Sequence, residues 1–126
     1  MMGFAYVDSS AILAVGFQEQ VDDELTDRLG GLHLLSSNLL EAELRAAHAR
    51  EQKPFQDFLI ESIEWVLPER ALGPELQRVL DAGYLRGADL WHVAVALSVV
   101  EDPGEITFIT LDERQREVAA ELGFQT

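Results

Sequence analysis

Four short apolar runs, each followed by a segment with helical spacing, restrict this chain to few folds. The runs are Phe4–Val7, Leu32–Ser36, Ile63–Leu67 and Ile106–Leu111, each short enough for a buried strand. Strands separated by helices must pair in parallel through right-handed crossovers, which gives an α/β sandwich. The order of the strands does not follow from the pattern. At 126 residues the chain reads as one domain, 1–126, long enough to bury a core.

The helical segments have recognisable ends. Ser9 or Ser10 is placed to cap a short helix through Ile12, Leu13 and Val15. A polar-faced helix is expected over Gln18–Leu29, ended by Gly30-Gly31. Another runs from about Asn38 to Arg50, and Pro54 is expected to restart a helix carrying Phe55, Phe58 and Leu59. The third strand ends at Pro68. Gly73-Pro74 opens a helix to about Gly83 with Leu76, Val79 and Leu80 on one face. The helix from about Asp89 to Glu101 is apolar nearly all round, so it should be central. A closing helix covers Glu113–Leu122 and ends at Gly123.

Four acids stand at the ends of these segments. They are Asp8, Glu43, Asp89 and Asp112. A carboxylate in apolar surroundings is costly unless it is paired or bound to a cation. In parallel sheets the ligand crevice lies at the carboxyl ends of the strands, and Asp8 and Asp112 both fall there. The pattern therefore points to one shared cation site.

Each acid also has a purely structural explanation. Asp8 and Asp112 can cap the helices that follow them, although Ser9 and Ser10 compete for the first task and Gln115 completes a capping box for the second. Asp89 suits a helix N-terminus by the dipole alone, and Arg86 is placed to neutralise it or to meet a phosphate. For the glutamates, a helical wheel separates the two candidates. With Leu40 at the origin, Glu43 falls at about −60°, inside an apolar arc of Leu39, Leu40, Leu44, Ala46 and Ala47, and Glu41 falls at about +100°, beside Arg45. They cannot both face one cation. Glu41 also stands three residues after Asn38, the spacing of a capping box. Glu43 is the site residue on this reading.

The remaining candidates are weaker. Thr110 lies two residues before Asp112 and would share its side of an extended strand. Arg45 and Arg86 are candidates for substrate phosphate, or solvated surface cations. His92 reads as a hydrogen-bonded core histidine rather than a ligand, and His33 and His48 have no metal-ligand spacing with it. Trp65 and Trp91 read as core. Without cysteine, disulfides, zinc thiolates, iron–sulfur clusters and thiol nucleophiles are excluded. No glycine-rich phosphate loop or nucleophile elbow occurs.

Charge sets a further limit. The net charge is −14 and Lys53 is the sole lysine, so a polyanion must be gripped locally by cations and a few arginines rather than by the whole surface. The acidity serves solubility or suits a basic protein partner. The Met-Met-Gly start has no basic segment before an apolar run, and Ala88–Val100 is too short to span a bilayer, so a cytoplasmic protein is expected.

Taken together, Tyr6-Val7-Asp8-Ser9-Ser10-Ala11, the segment Ser36–Ala46, Asp89-Leu90-Trp91-His92-Val93-Ala94-Val95-Ala96-Leu97 and Thr110-Leu111-Asp112 resemble the ordered motifs of a PIN domain, more narrowly of a VapC-type toxin ribonuclease. The resemblance covers nearly the whole chain and places the family glutamate on Glu43. It implies a three-layer α/β/α sandwich on a parallel sheet that binds Mg²⁺ or Mn²⁺, with Asp8, Glu43, Asp89 and Asp112 as the ligands; the Thr110 hydroxyl either orients a metal-bound water or is an ordinary strand threonine. It further implies cleavage of single-stranded RNA to leave a 5′-phosphate and a 3′-hydroxyl, a homodimer, and a cognate antitoxin that blocks the site, often with an arginine; structured RNA is the other substrate form considered. Two other readings exist. One is a catalytically silent PIN-like module that binds protein. The other is an aspartyl phosphotransfer domain, which the isolated Asp8 and single lysine disfavour.

Overall fold

The computed structural model describes residues 3–17 and 23–126. It holds a parallel sheet of β1 (Phe4–Val7), β2 (His33–Ser37), β3 (Ile63–Val66) and β4 (Thr107–Ile109), in the order β3-β2-β1-β4. Among the described residues six α-helices surround it: α1 (Ser9–Gly16), α2 (Asp23–Gly31), α3 (Leu39–Arg50), α4 (Gly73–Ala82), α5 (Gly87–Ser98) and α6 (Glu113–Leu122). This is the α/β class the alternation of segments requires.

Period-two alternation along the strands divides the core into two layers. Tyr6 and Phe108 point to one face, where they pack with Val79 of α4, Val93 and Leu97 of α5, and Val118 of α6. Ala5, Val7, Leu34 and Ile109 point to the other, against Ala11 and Ile12 of α1, Leu25 of α2, and Leu40 and Leu44 of α3. Helices therefore cover both faces, giving three layers. Register pairs Tyr6 with Leu35 on one side and with Phe108 on the other, so the tyrosine ring sits mid-sheet and stacks on Phe108 at 5.4 Å. His92 to Leu97 of α5 are all buried, as expected for a central helix.

Strand order decides where a ligand crevice can open. The chain steps outward from β1 to β2 to β3, then crosses back to place β4 on the far side of β1. The crossovers diverge between β1 and β4, and this switch point leaves a crevice beyond the carboxyl ends of those two strands. Asp8 follows β1, and its backbone N–H donates to the Ile109 carbonyl at the end of β4 at 3.0 Å.

Several boundaries differ from the sequence pattern. The helix expected after Pro54 is a single 3₁₀ turn at Asp57–Leu59; its Phe58 is exposed and only Leu59 is buried, too little apolar surface to hold a longer helix. β4 spans Thr107–Ile109 rather than Ile106–Leu111, because Thr110 turns into the site. Its outer edge is covered by Gln125, whose carbonyl accepts from Phe108 N–H and whose N–H donates to the Ile106 carbonyl. α5 starts at Gly87, so Asp89 lies within its first turn and is not the cap. Of the helix expected over Gln18–Leu29, residues 18–22 lie outside the described residues, and α2 includes Gly30 and Gly31. Among the described residues no helix is long and apolar enough to cross a membrane.

Candidate metal centre

The first site residue is fixed by the end of β1. Asp8 is the N-cap of α1, accepting from Ser10 N–H through Oδ2 at 3.2 Å. The cap is thus Asp8, and neither Ser9 nor Ser10 replaces it, because the chain turns out of the sheet at residue 8. Capping occupies one carboxylate oxygen only. Asp8 is 3% exposed, and its Oδ1 is buried without a hydrogen-bond partner. A buried carboxylate oxygen left in that condition is costly, and a cation would satisfy it.

Glu43 reaches the same place from α3. It is half-buried, and its Oε1 lies 2.5 Å from His92 Nε2, while Asp8 Oδ1 lies 3.9 Å from that nitrogen. One ligand atom from each of Asp8, Glu43 and His92 falls within 4.8 Å of the others. The helical wheel therefore separates the two glutamates correctly in direction. Glu41 faces outward and pairs with Arg45 at 2.6 Å. Its expected capping box does not form: Asn38 is itself helical and makes no side-chain cap, and Ser37 Oγ instead accepts from Leu39 N–H at 3.2 Å. The buried stripe of α3 is also rotated from the expected one, comprising Leu40, Leu44, Ala47 and His48, with Ala46 exposed.

His92 is held by groups whose donors and acceptors can be assigned. Ser37 N–H donates to the Tyr6 phenol oxygen at 3.1 Å, and that hydroxyl lies 2.7 Å from His92 Nδ1. Burial pushes the Tyr6 phenol up to about 12, so it keeps its proton, which needs an acceptor. Nδ1 is within reach. The ring proton then sits on Nε2 and is donated to Glu43. His92 is a satisfied buried histidine, and its bond to Glu43 gives it a role in the site that spacing alone did not show. The other histidines are structural: His48 donates from Nδ1 to the Leu44 carbonyl at 2.7 Å between Phe17 and Phe55, and His33 stacks on Phe4.

Thr110 ties the third and fourth acids to the first. Its Oγ1 accepts from Asp112 N–H at 3.0 Å, lies 3.2 Å from Ser10 Oγ, and is closer to Gln115 Oε1 (2.7 Å) than to Asp8 Oδ2 (3.3 Å). Its single proton therefore goes to Gln115. Gln115 is fully buried and donates through Nε2 to the Asp89 carbonyl at 3.2 Å, joining the first turns of α5 and α6. Asp112 caps α6 by accepting from Gln115 N–H at 2.8 Å. The expected reciprocal half of that box is taken over by Thr110, which leaves the Gln115 side chain free to brace Asp89.

Asp89 and Asp112 line one pocket with Arg86 and Arg114. Burial, reinforced by the negative charges of Asp8, Asp112 and Glu43 and opposed by His92, raises the Asp89 carboxyl above its ordinary range. The charges of Asp8, Asp112 and Glu43 thus reach Asp89, but among the described residues the close cluster holds Asp8, Glu43 and His92, and Asp89 and Asp112 line the neighbouring pocket. Arg86 stands at the rim. Arg45 belongs to neither: its guanidinium is taken by Glu41 and lies 4.3 Å from the centre of the Phe55 ring.

Reasoning from sequence missed Tyr6, Ser37 and Gln115. Tyr6 carried a signal, since it precedes Asp8 by two strand residues and a buried tyrosine hydroxyl demands a partner. His92, three residues after Asp89, shared its helix face. Ser37 and Gln115 act through contacts that no spacing shows.

The donor set suits a hard divalent cation: carboxylate oxygens, an unpartnered buried oxygen and converging negative charge. No known protein family, curated protein or solved structure matches this chain.

Proposed function

We propose that the protein is a metal-dependent endoribonuclease of PIN type, cutting phosphodiester bonds with Mg²⁺ or Mn²⁺ held by Asp8, Glu43, Asp89 and Asp112. The observation that carries this reading is the buried, unpartnered Asp8 Oδ1 among Glu43 and His92. Capping accounts for Asp8 Oδ2 and for Asp112, but it accounts for neither Asp8 Oδ1 nor the half-buried Glu43. A silent protein-binding module would have no use for either, which ranks that reading second.

A divalent cation bound there supplies Lewis-acid activation of water and charge neutralisation at the phosphate. The residues of the chain do the rest. Asp8 presents Oδ1 from a backbone fixed by its own cap. His92 holds Glu43 in one orientation and keeps its Nε2 occupied as a donor. Thr110 and Gln115 lock the loop after β4 to the start of α5, so Asp89 and Asp112 keep their spacing. Arg86, exposed in the pocket that Asp89 and Asp112 line, is placed for a backbone phosphate of the strand beside the one at the acids.

We infer, from the same resemblance, a toxin of a toxin–antitoxin pair that works as a homodimer in the cytoplasm, with a basic antitoxin segment covering the acids. The strongly acidic chain suits such a partner. Incubation of transfer, ribosomal and unstructured RNAs with Mn²⁺ or Mg²⁺ tests the activity. Cleavage should need both metal and Asp8; cleavage that survives Asp8→Asn or EDTA would overturn the assignment.

A further inference from the structure

The pocket shared by Asp89 and Asp112 has a second wall that the acids do not explain. Tyr84 and Arg86 come from the turn between α4 and α5, and Arg114 from the first turn of α6. Tyr84 is 70% exposed, more than any other large apolar side chain among the described residues. A Cβ on Gly83 would lie 2.8 Å from Arg114 Nη2 and 2.9 Å from Val118 Cγ2. Glycine at 83 therefore lets the turn lie directly on α6, so that Tyr84, the next residue, and Arg114 line the same pocket.

The charges at this wall are available. Arg86 makes no ion pair or side-chain hydrogen bond among the described residues, and Arg114 has one long contact to Glu117, 3.4 Å, with both side chains more than half exposed. Elsewhere Arg45, Arg50 and Arg70 are each held by a glutamate. A single exposed tyrosine is ordinary surface. Here it adjoins two available guanidiniums at the edge of an acid cluster, in a chain with only nine Lys and Arg. Single-stranded nucleic acid is held by this combination, in which cations take the backbone and an aromatic face takes a base.

We propose that Tyr84, Arg86 and Arg114 form a binding pocket for one nucleotide of a single strand, the guanidiniums taking its phosphate and Tyr84 stacking its base. The pocket rests on the nuclease reading and places that nucleotide next to the phosphate at the acids. A base can reach Tyr84 only when it is unstacked, so the pocket selects single strands over duplex. Stacking is indifferent to base identity, so this contact adds affinity rather than sequence choice.

Fluorescence anisotropy of a labelled short single-stranded RNA, with Ca²⁺ as the hard cation and at several salt concentrations, tests the pocket. Tyr84→Ala should weaken binding about tenfold, and Tyr84→Phe should bind as the wild type does. On an abasic strand of the same length, Tyr84→Ala should change nothing. Arg86→Gln and Arg114→Gln should weaken both strands and lower the slope of log affinity against log salt by about 0.7 each, while Arg50→Gln should leave it unchanged. Wild-type binding that none of the three positions alters would overturn the pocket alone. No wild-type binding to any single strand would overturn the nuclease reading and the pocket with it.

Discussion

His92 Nε2 stands 2.5 Å from Glu43 Oε1, and the proton between them is fixed by Tyr6 on the far side of the ring. A carboxylate held this way presents its other oxygen in a set direction without taking the imidazole as a ligand. Partners of this kind, one step removed from a metal, contribute about 10- to 100-fold in affinity. His92→Leu should lose Mn²⁺ affinity in that range by calorimetry, and His92→Gln, which retains a donor, should recover part of it. Equal affinity in all three proteins would show that the contact does not orient Glu43.

Tyr6→Phe tests the same chain from behind. It leaves Ser37 N–H without its acceptor and His92 Nδ1 without its donor in a buried setting, and one such orphaned group costs about 1–3 kcal/mol. Urea denaturation should show a loss of that order. A loss below about 0.5 kcal/mol, the size of an ordinary surface change, would mean that the hydroxyl is not part of the network.

The two glutamates of α3 should separate cleanly. Glu43→Gln is expected to abolish metal-dependent cleavage, whereas Glu41→Gln breaks only an exposed pair with Arg45 and should cost about 0.3–0.5 kcal/mol with activity retained. Parallel cleavage assays and melts check both, and the reverse pattern would overturn the assignment.

Asp8 and Asp112 both cap helices, but they should respond differently. Asp8→Asn keeps a good cap and removes a buried charge that lacks a partner, so the metal-free protein should melt at a higher temperature while its Mn²⁺ binding falls. Asp112→Ala loses the cap on α6 and should cost about 1 kcal/mol in the metal-free protein. Calorimetric melts in EDTA distinguish the two; a lower melting temperature for Asp8→Asn would assign Asp8 to capping alone.

The alternation of strands and helices was legible because burial on both faces of a parallel sheet writes apolar runs into the chain. Glu43 was legible because a helical wheel sets it on the apolar side of α3 and Glu41 on the polar side, and the structure leaves Glu43 half-buried against His92. Strand order was not, since it depends on the crossover from β3 to β4, which no local pattern encodes. Nor was the bracing of Asp89 by Gln115, because its capping-box spacing with Asp112 predicted a different bond. The helix expected after Pro54 failed for a simpler reason: its apolar residues had only the edge of a core to pack against.

Asp89 gives the site a pH signature. Its folded-state carboxyl titrates above the ordinary range, so its contribution to stability is fully present below the unfolded value and is lost as pH rises through the folded one. In EDTA, the stability advantage of Asp89→Asn over the wild type should therefore grow as pH rises from the acid range toward neutrality. Melts across that range check the sign, and an advantage that shrinks with rising pH would contradict it.

The most direct measurement is a calorimetric titration of the protein with Mn²⁺ at neutral pH, beside Asp8→Asn and Glu43→Gln. Saturable binding that either substitution abolishes is the predicted result. Binding unchanged in both variants, or no binding by a folded wild-type protein, would contradict the claim that these carboxylates form a metal centre.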